Sequence, residues 1–303
     1  MSADSTTPTT EQTAQPTSAS SSGRGRPGDE AVIFLHLPKT AGTTVNRLIE
    51  WEYPLSQMYS VDPVLFRWSA AHLRGLPPER LRKYRMFKGH MAFGLHEVLP
   101  QPATYITVLR DPVDRVISAY YFMRNYKLHP LFWKLQRENW TLEDFVRRAQ
   151  RDNVQSKITA GAKYESSCTR EVVDQAKYNM QNHFSVVGLS DRLEESLALM
   201  KLRFGWKLSS YSSFNVTRSR PKKRDLPQST LDLIHEKNAF DIELYDYSRE
   251  VFEEAVAANP TEVQRIADEL RAAKARSQGS FDSMIFTARS AARKAINRVY
   301  SAI

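Results

Sequence analysis

The chain has 303 residues, 41% hydrophobic and 25% charged, enough apolar material for one large core in a globular protein. Forty-three Lys and Arg against thirty-four Asp and Glu leave a net charge of +9; this favours anionic partners (nucleotides, acidic glycans, nucleic acid, a membrane surface), although a solvated basic tail accounts for it equally. The single cysteine, Cys168, excludes an intramolecular disulfide framework and a cysteine-rich zinc site. No run of about 18 apolar residues suggests a membrane span, and the N-terminus lacks a signal-peptide core, so the expected address is the cytoplasm.

Residues 1–30 are rich in Ser, Thr, Pro and Gln and nearly devoid of large apolar side chains, which predicts a disordered tail. A single domain is expected over 31–258. Ala31–Leu35 reads as a buried strand, followed by a Gly-containing loop and a helix from about Thr43 with Val45, Leu48 and Ile49 on one face. Tyr84–Phe87 is a shorter strand leading into Lys88-Gly89-His90. Thr104–Leu109 is a β-branched strand stopped by Arg110-Asp111-Pro112, and Val113, Val116, Ile117, Tyr120 and Tyr121 mark the next helix. Ser185–Gly188 is a fourth strand, and Asp191–Met200 a helix with Leu193, Leu197 and Met200 in phase. Strands alternating with helices predict an α/β fold: a doubly wound parallel sheet flanked by helices.

Beyond Asn259-Pro260 a helical, basic tail over 259–303 is expected. Ile285, Ala288, Ala292, Ile296, Val299 and Ile303 fall on one stripe, with Arg289, Arg293, Lys294 and Arg298 off it. That pattern suits packing on the core or on a partner, and also peripheral contact with a membrane surface.

His36-Leu37-Pro38-Lys39-Thr40-Ala41-Gly42-Thr43-Thr44 joins the first strand to its helix. A helix N-terminus presents unpaired N–H groups and a positive dipole end to an anion. Gly42 permits close backbone approach, Thr40, Thr43 and Thr44 add hydroxyl donors, and Lys39 adds a point charge. The lysine precedes the glycine, so this is not a Walker A loop. Arg110 ends a strand, and its planar fork suits bidentate phosphate binding. Ser118 lies two helical turns on and shares that anion only if the helix folds back along the strand; otherwise Arg110 pairs with Asp111 or Asp114 and the serine is neutral filler. Lys39, His90 and Arg110 each follow a predicted strand, where open α/β sheets bind ligands.

Phe34–Val45 resembles the 5′-phosphosulfate loop of sulfotransferases, especially the branch of heparan sulfate 2-O-sulfotransferase and its bacterial relatives. Three further stretches are similar, in order: Lys88-Gly89-His90, Leu109–Tyr121, and Asp174-Gln175-Ala176-Lys177-Tyr178-Asn179 followed by Val187-Gly188. The resemblance covers residues 31–255 and implies a P-loop-like fold. It implies sulfuryl transfer from 3′-phosphoadenosine 5′-phosphosulfate (PAPS) to a hydroxyl, with no metal. It makes His90 the general base and Lys39 the stabiliser of charge on the bridging oxygen. Lys39 through Thr44 would hold the donor's 5′ end, Arg110 and Ser118 its 3′-phosphate. Arg218 and Arg220 are candidates from a basic loop, Asn215–Arg224, that either covers the nucleotide or attracts an acidic acceptor. His96 is a second, weaker candidate base, and His36 a packing or backbone-bonding residue. Lys88 stands where that branch often has histidine, which weakens the expectation of that branch's exact acceptor.

A saccharide acceptor is expected, with no nucleic acid partner, in a bacterial-type soluble enzyme. The rival readings are an ATP-dependent phosphotransferase on the same core and a non-catalytic protein that binds nucleotide or polyanion.

Overall fold

The computed structural model describes residues 30–61, 72–211 and 221–277. Among these, five parallel strands form one sheet in the order β2-β3-β1-β4-β5: β1 Ala31–Leu35, β2 Met58–Val61, β3 Met86–Gly89, β4 Ala103–Leu109 and β5 Phe184–Leu189. All five side chains of β1 are buried, as a central parallel strand covered on both faces requires. The predicted α/β fold is present. Three of the four predicted strands lie within a residue of their expected limits, and β3 begins two residues later than expected. The strand β2, Met-Tyr-Ser-Val, was not anticipated: four residues after a proline carry no legible period.

Helix α1 (Gly42–Glu52) follows β1, and a single turn, α2 (Pro78–Leu81), precedes β3. Helix α3 (Pro112–Asn125) follows β4, begun by Asp111, whose Oδ1 accepts from the amide of Asp114 at 2.9 Å, and by Pro112 in the first turn. Next come α4 (Phe132–Arg137), α5 (Leu142–Arg148), α6 (Val154–Ala160) and α7 (Arg170–His183). Beyond β5 lie α8 (Leu193–Phe204), α9 (Gln228–Lys237), α10 (Ala239–Ala257) and α11 (Pro260–Ser277). Gly188 lets α8 sit tight on β5: an added Cβ would stand 2.8 Å from Ser196 Cβ.

Helix α11 is docked on the domain. It buries Val263, Ile266, Ala267 and Leu270, and Lys274 reaches Glu194 at the head of α8, so residues 260–277 pack with the domain expected to end at 258. The N-terminal tail, Arg218, Arg220 and the stripe from Ile285 to Ile303 lie outside the described residues. Among the described residues no helix is long and apolar enough to cross a membrane.

Candidate active site

The loop after β1 turns through two left-handed residues, Lys39 (φ 69°) and Ala41 (φ 66°). Each costs a non-glycine residue about 1–2 kcal/mol, a strain the surrounding contacts hold in place. Thr40 Oγ1 donates to the carbonyl of Leu37 at 2.9 Å, and Arg110 Nη1 donates to the carbonyl of Lys39 at 3.1 Å. Ala41 caps α1 without a side-chain acceptor, and the first turn carries no acidic residue. The positive end of the α1 dipole is therefore not capped by α1's own side chains, although Asp111, Asp114, Asp191 and Glu253 line the same cavity.

The loop opens on a cavity of about 810 Å³ at the carboxyl edge of the sheet, where ligands bind in open α/β folds. Lys39, Ala41, Gly42, Thr43, His90, Arg110 and Ser118 all line it. Ser118 of α3 and Arg110 line the same cavity. Thr40 and Thr44 do not line it; both side chains are buried, and the Thr40 hydroxyl serves the loop's own turn. Gly42 has a second reason to be glycine. A Cβ there would fall 1.9 Å from Cδ2 of His36, so the ring of His36 occupies the space a side chain would need.

His90 stands beyond β3 with Nδ1 2.9 Å from the carbonyl of His36. A carbonyl only accepts, so Nδ1 carries the proton and the neutral ring's basic atom is Nε2. His36 stacks on His90 (centroids 4.1 Å apart, planes at 25°), and the amide of Asn46 donates to its Nδ1 at 3.0 Å. Burial holds the pKa of His36 well below the ordinary histidine value, and the neighbouring His90, Lys88 and Lys39 push the same way. His36 is thus a packing residue, as expected, and a neutral one. His96 lies elsewhere: its Nδ1 is bonded to Tyr105 Oη at 3.0 Å and its ring packs on Phe93 and His183.

Lys39 Nζ sits 4.0 Å above the ring of Phe122, which also lines the cavity. Lys88 is buried and paired with Glu50 at 2.8 Å. Of the basic loop, Lys223 reaches Asp111 at 3.4 Å, so the described end of that loop lies beside the cavity. The Asp174–Asn179 stretch does not line the cavity: Asn179 donates to the carbonyl of Thr159 at 2.9 Å, and Lys177 pairs with Glu243 at 2.7 Å, tying α7 to its neighbours.

Several residues that build the site were not anticipated. The side-chain amide of Gln155, fully buried, pairs with both backbone groups of Arg110, accepting from its N–H at 3.0 Å and donating to its carbonyl at 2.9 Å. It substitutes for a neighbouring strand where β4 ends. Gln155 is held in turn by Asp241, which accepts from the amides of Gln155 (3.2 Å) and Ser156 (2.8 Å) and from the Ser156 hydroxyl (2.9 Å). The Asp152-Asn153 pair before α6 is a helix-start signal, but nothing local names Asp241 as its acceptor.

The family profile described as galactose-3-O-sulfotransferase matches residues 2–293. The chain belongs to that family. Among curated relatives, mouse galactose-3-O-sulfotransferase 3 is 26% identical over 273 residues, covering 81% of this chain and 62% of the relative. Human heparan sulfate 2-O-sulfotransferase 1 is 26% identical over 196 residues, covering 57% of this chain and 54% of the relative. The chain thus spans less than two thirds of the length of these animal relatives. A solved mouse sulfotransferase, SULT7A1 complexed with PAP, matches with 14% identity and a TM-score of 0.35 over 69% of this chain and 65% of that one; a score so low carries no further weight. The sulfotransferase resemblance seen in the loop, His90 and Arg110 stretches is borne out; the family model is the galactose-3-O one, and enzymes of the expected heparan sulfate 2-O branch match at equal identity.

Proposed function

We propose that this chain transfers the sulfuryl group of PAPS to a saccharide hydroxyl, with His90 as general base. The observation that carries the reading is the convergence, on one cavity, of a helix N-terminus with Lys39, an arginine fork with Ser118, and a histidine whose tautomer leaves Nε2 basic. The first two suit the two phosphate ends of the donor, and membership of the family supplies the reaction class.

In the step proposed, Nε2 of His90 takes the acceptor's hydroxyl proton as the oxygen attacks sulfur. The bond from sulfur to the phosphate oxygen breaks in line, and 3′-phosphoadenosine 5′-phosphate leaves. Lys39 and the first amides of α1 balance the charge that builds on the departing oxygen. Arg110 holds the 3′ end and, through its bond to the Lys39 carbonyl, keeps the loop in its strained shape. The saccharide acceptor is inferred from the names of the relatives, a galactose and a heparan sulfate sulfotransferase. A cytoplasmic location, with peripheral membrane contact through the basic C-terminal stripe, is part of the same proposal.

The test is transfer of ³⁵S from labelled PAPS to a panel of galactosides and uronic-acid oligosaccharides by wild type and His90→Ala. Labelled product with wild type and none with the variant is expected. Near-normal turnover by the variant would remove His90 from the base's role.

A further inference from the structure

Three residues on one face of α1, spaced i, i+4 and i+8, touch His36, just past β1, or Lys88 of β3, the strand that leads to the base. Gly42 abuts the ring of His36 with no room for a Cβ. Asn46 donates to Nδ1 of His36 at 3.0 Å. Glu50 pairs with Lys88, two residues before His90, at 2.8 Å, both side chains being buried. His36 stacks on His90, and Phe34 stacks on His36 at 5.5 Å with planes 15° apart.

We propose that Gly42, Asn46 and Glu50 are positioning residues that act through His36 and Lys88. They fix the plane and tautomer of His90 relative to the donor loop that begins the same helix. The inference rests on the reading of His90 as general base.

Three features favour positioning over plain stability. First, the carbonyl that sets His90's tautomer belongs to the residue whose ring His90 stacks on, so a shift of His36 moves both constraints together. Second, His36 has little slack: His90 and Phe34 stack on its ring, Gly42 stands close to its Cδ2 and Nε2, and its Nδ1 is bonded. Because it stays neutral, it does not oppose a proton arriving on His90, as a stacked cation would. Third, a buried ion pair is a poor source of stability, since two apolar residues of similar volume often hold a fold as well or better. The pair does supply a directional link between α1 and β3, which apolar residues would not.

The experiment compares wild type with Asn46→Leu, which keeps volume but loses the hydrogen bond, and with the paired swap Glu50→Leu and Lys88→Met, which keeps apolar packing across the same contact. Three quantities are read on the full chain: kcat, calorimetric affinity for 3′-phosphoadenosine 5′-phosphate, and the tautomer of His90 by ¹⁵N-histidine NMR. The expected result is a fall of at least about tenfold in kcat in both variants, with nucleotide affinity close to wild type and a His90 signal that changes from a single Nδ1–H form to a mixture. The paired swap is expected to melt no lower than wild type, so lost folding would not explain its lost turnover. A paired swap with wild-type kcat and tautomer would overturn the proposal. So would a loss of nucleotide affinity as large as the loss of kcat, since that is damage to the donor loop. The NMR readout needs no turnover and separates the two levels. An altered tautomer with unaltered kcat would sink the general-base reading, and an unaltered tautomer would sink the positioning role.

Discussion

Replacing Gly42 by alanine separates two reasons for glycine at the head of α1. One is that a bound anion needs bare backbone. The other is that His36 already fills the space. Only the second acts without ligand. The added methyl would stand 1.9 Å from Cδ2 and 2.0 Å from Nε2 of His36, far inside normal contact. Overpacking of this kind costs about 1–3 kcal/mol, and displacement of the ring would break the Asn46 bond, worth about 1 kcal/mol. Alanine's better helix propensity opposes this by at most about 1 kcal/mol. The clash wins, leaving a net loss of about 1–3 kcal/mol, which lowers Tm by roughly 3–10 °C in a domain of this size. Thermal melting of the ligand-free protein, followed by circular dichroism, reads it directly. A Gly42→Ala protein that melts at or above wild type would refute the packing account of this glycine, and with it the claim that His36 is wedged.

Three other outcomes follow from the same contacts. Arg110→Lys keeps the charge but loses the fork that reaches both anion and the Lys39 carbonyl, so affinity for 3′-phosphoadenosine 5′-phosphate is expected to fall about tenfold by calorimetry; unchanged affinity would contradict the assignment. Asp241→Ala removes the acceptor for two amides and a hydroxyl and strands buried Arg115, whose Nε lies 3.6 Å from it; urea unfolding is expected to show a loss of about 3–5 kcal/mol. Burial, with Arg151 nearby, pushes the pKa of His129 down to about 4, so the folded chain resists a proton that the unfolded chain accepts near the ordinary value. Stability therefore falls as pH drops from 6.5 towards 4, by about 1 kcal/mol for this half-exposed ring after solvent screening. His129→Gln is expected to flatten that slope, and an unchanged slope would count against it.

The central strands were legible because β1 is a wholly apolar run and β4 a largely β-branched one, each short and ending in chemistry: a lysine loop and an arginine. That placement also made Lys39, His90 and Arg110 readable as one site, since three parallel strands deliver their following residues to one edge. The strand β2 was lost among the aromatics of 51–85, where tertiary pairing with β3 decides the conformation rather than any local period. Thr40 illustrates a different limit: its hydroxyl has the right chemistry for an anion, yet the turn takes it for Leu37. The supports of the site were illegible for a plainer reason. Gln155 bonds to a residue 45 positions away, Asp241 to residues 85 and 86 away, and Lys88 to one 38 away. Such pairs exist only once the sheet and helices have assembled. Lys88 shows what this changes: in the sequence it is a departure from a histidine, and in the fold it is half of a buried pair beneath the base.

The central claim, that the cavity is built for a nucleotide phosphorylated at both the 3′ and 5′ ends, is met most directly by titrating the protein with 3′-phosphoadenosine 5′-phosphate and with ATP in a calorimeter. The account predicts tighter binding of the former by roughly 10–100-fold, the worth of the charge-assisted bonds that Arg110 and Ser118 make to a 3′-phosphate ATP lacks. Equal or tighter binding of ATP would contradict it.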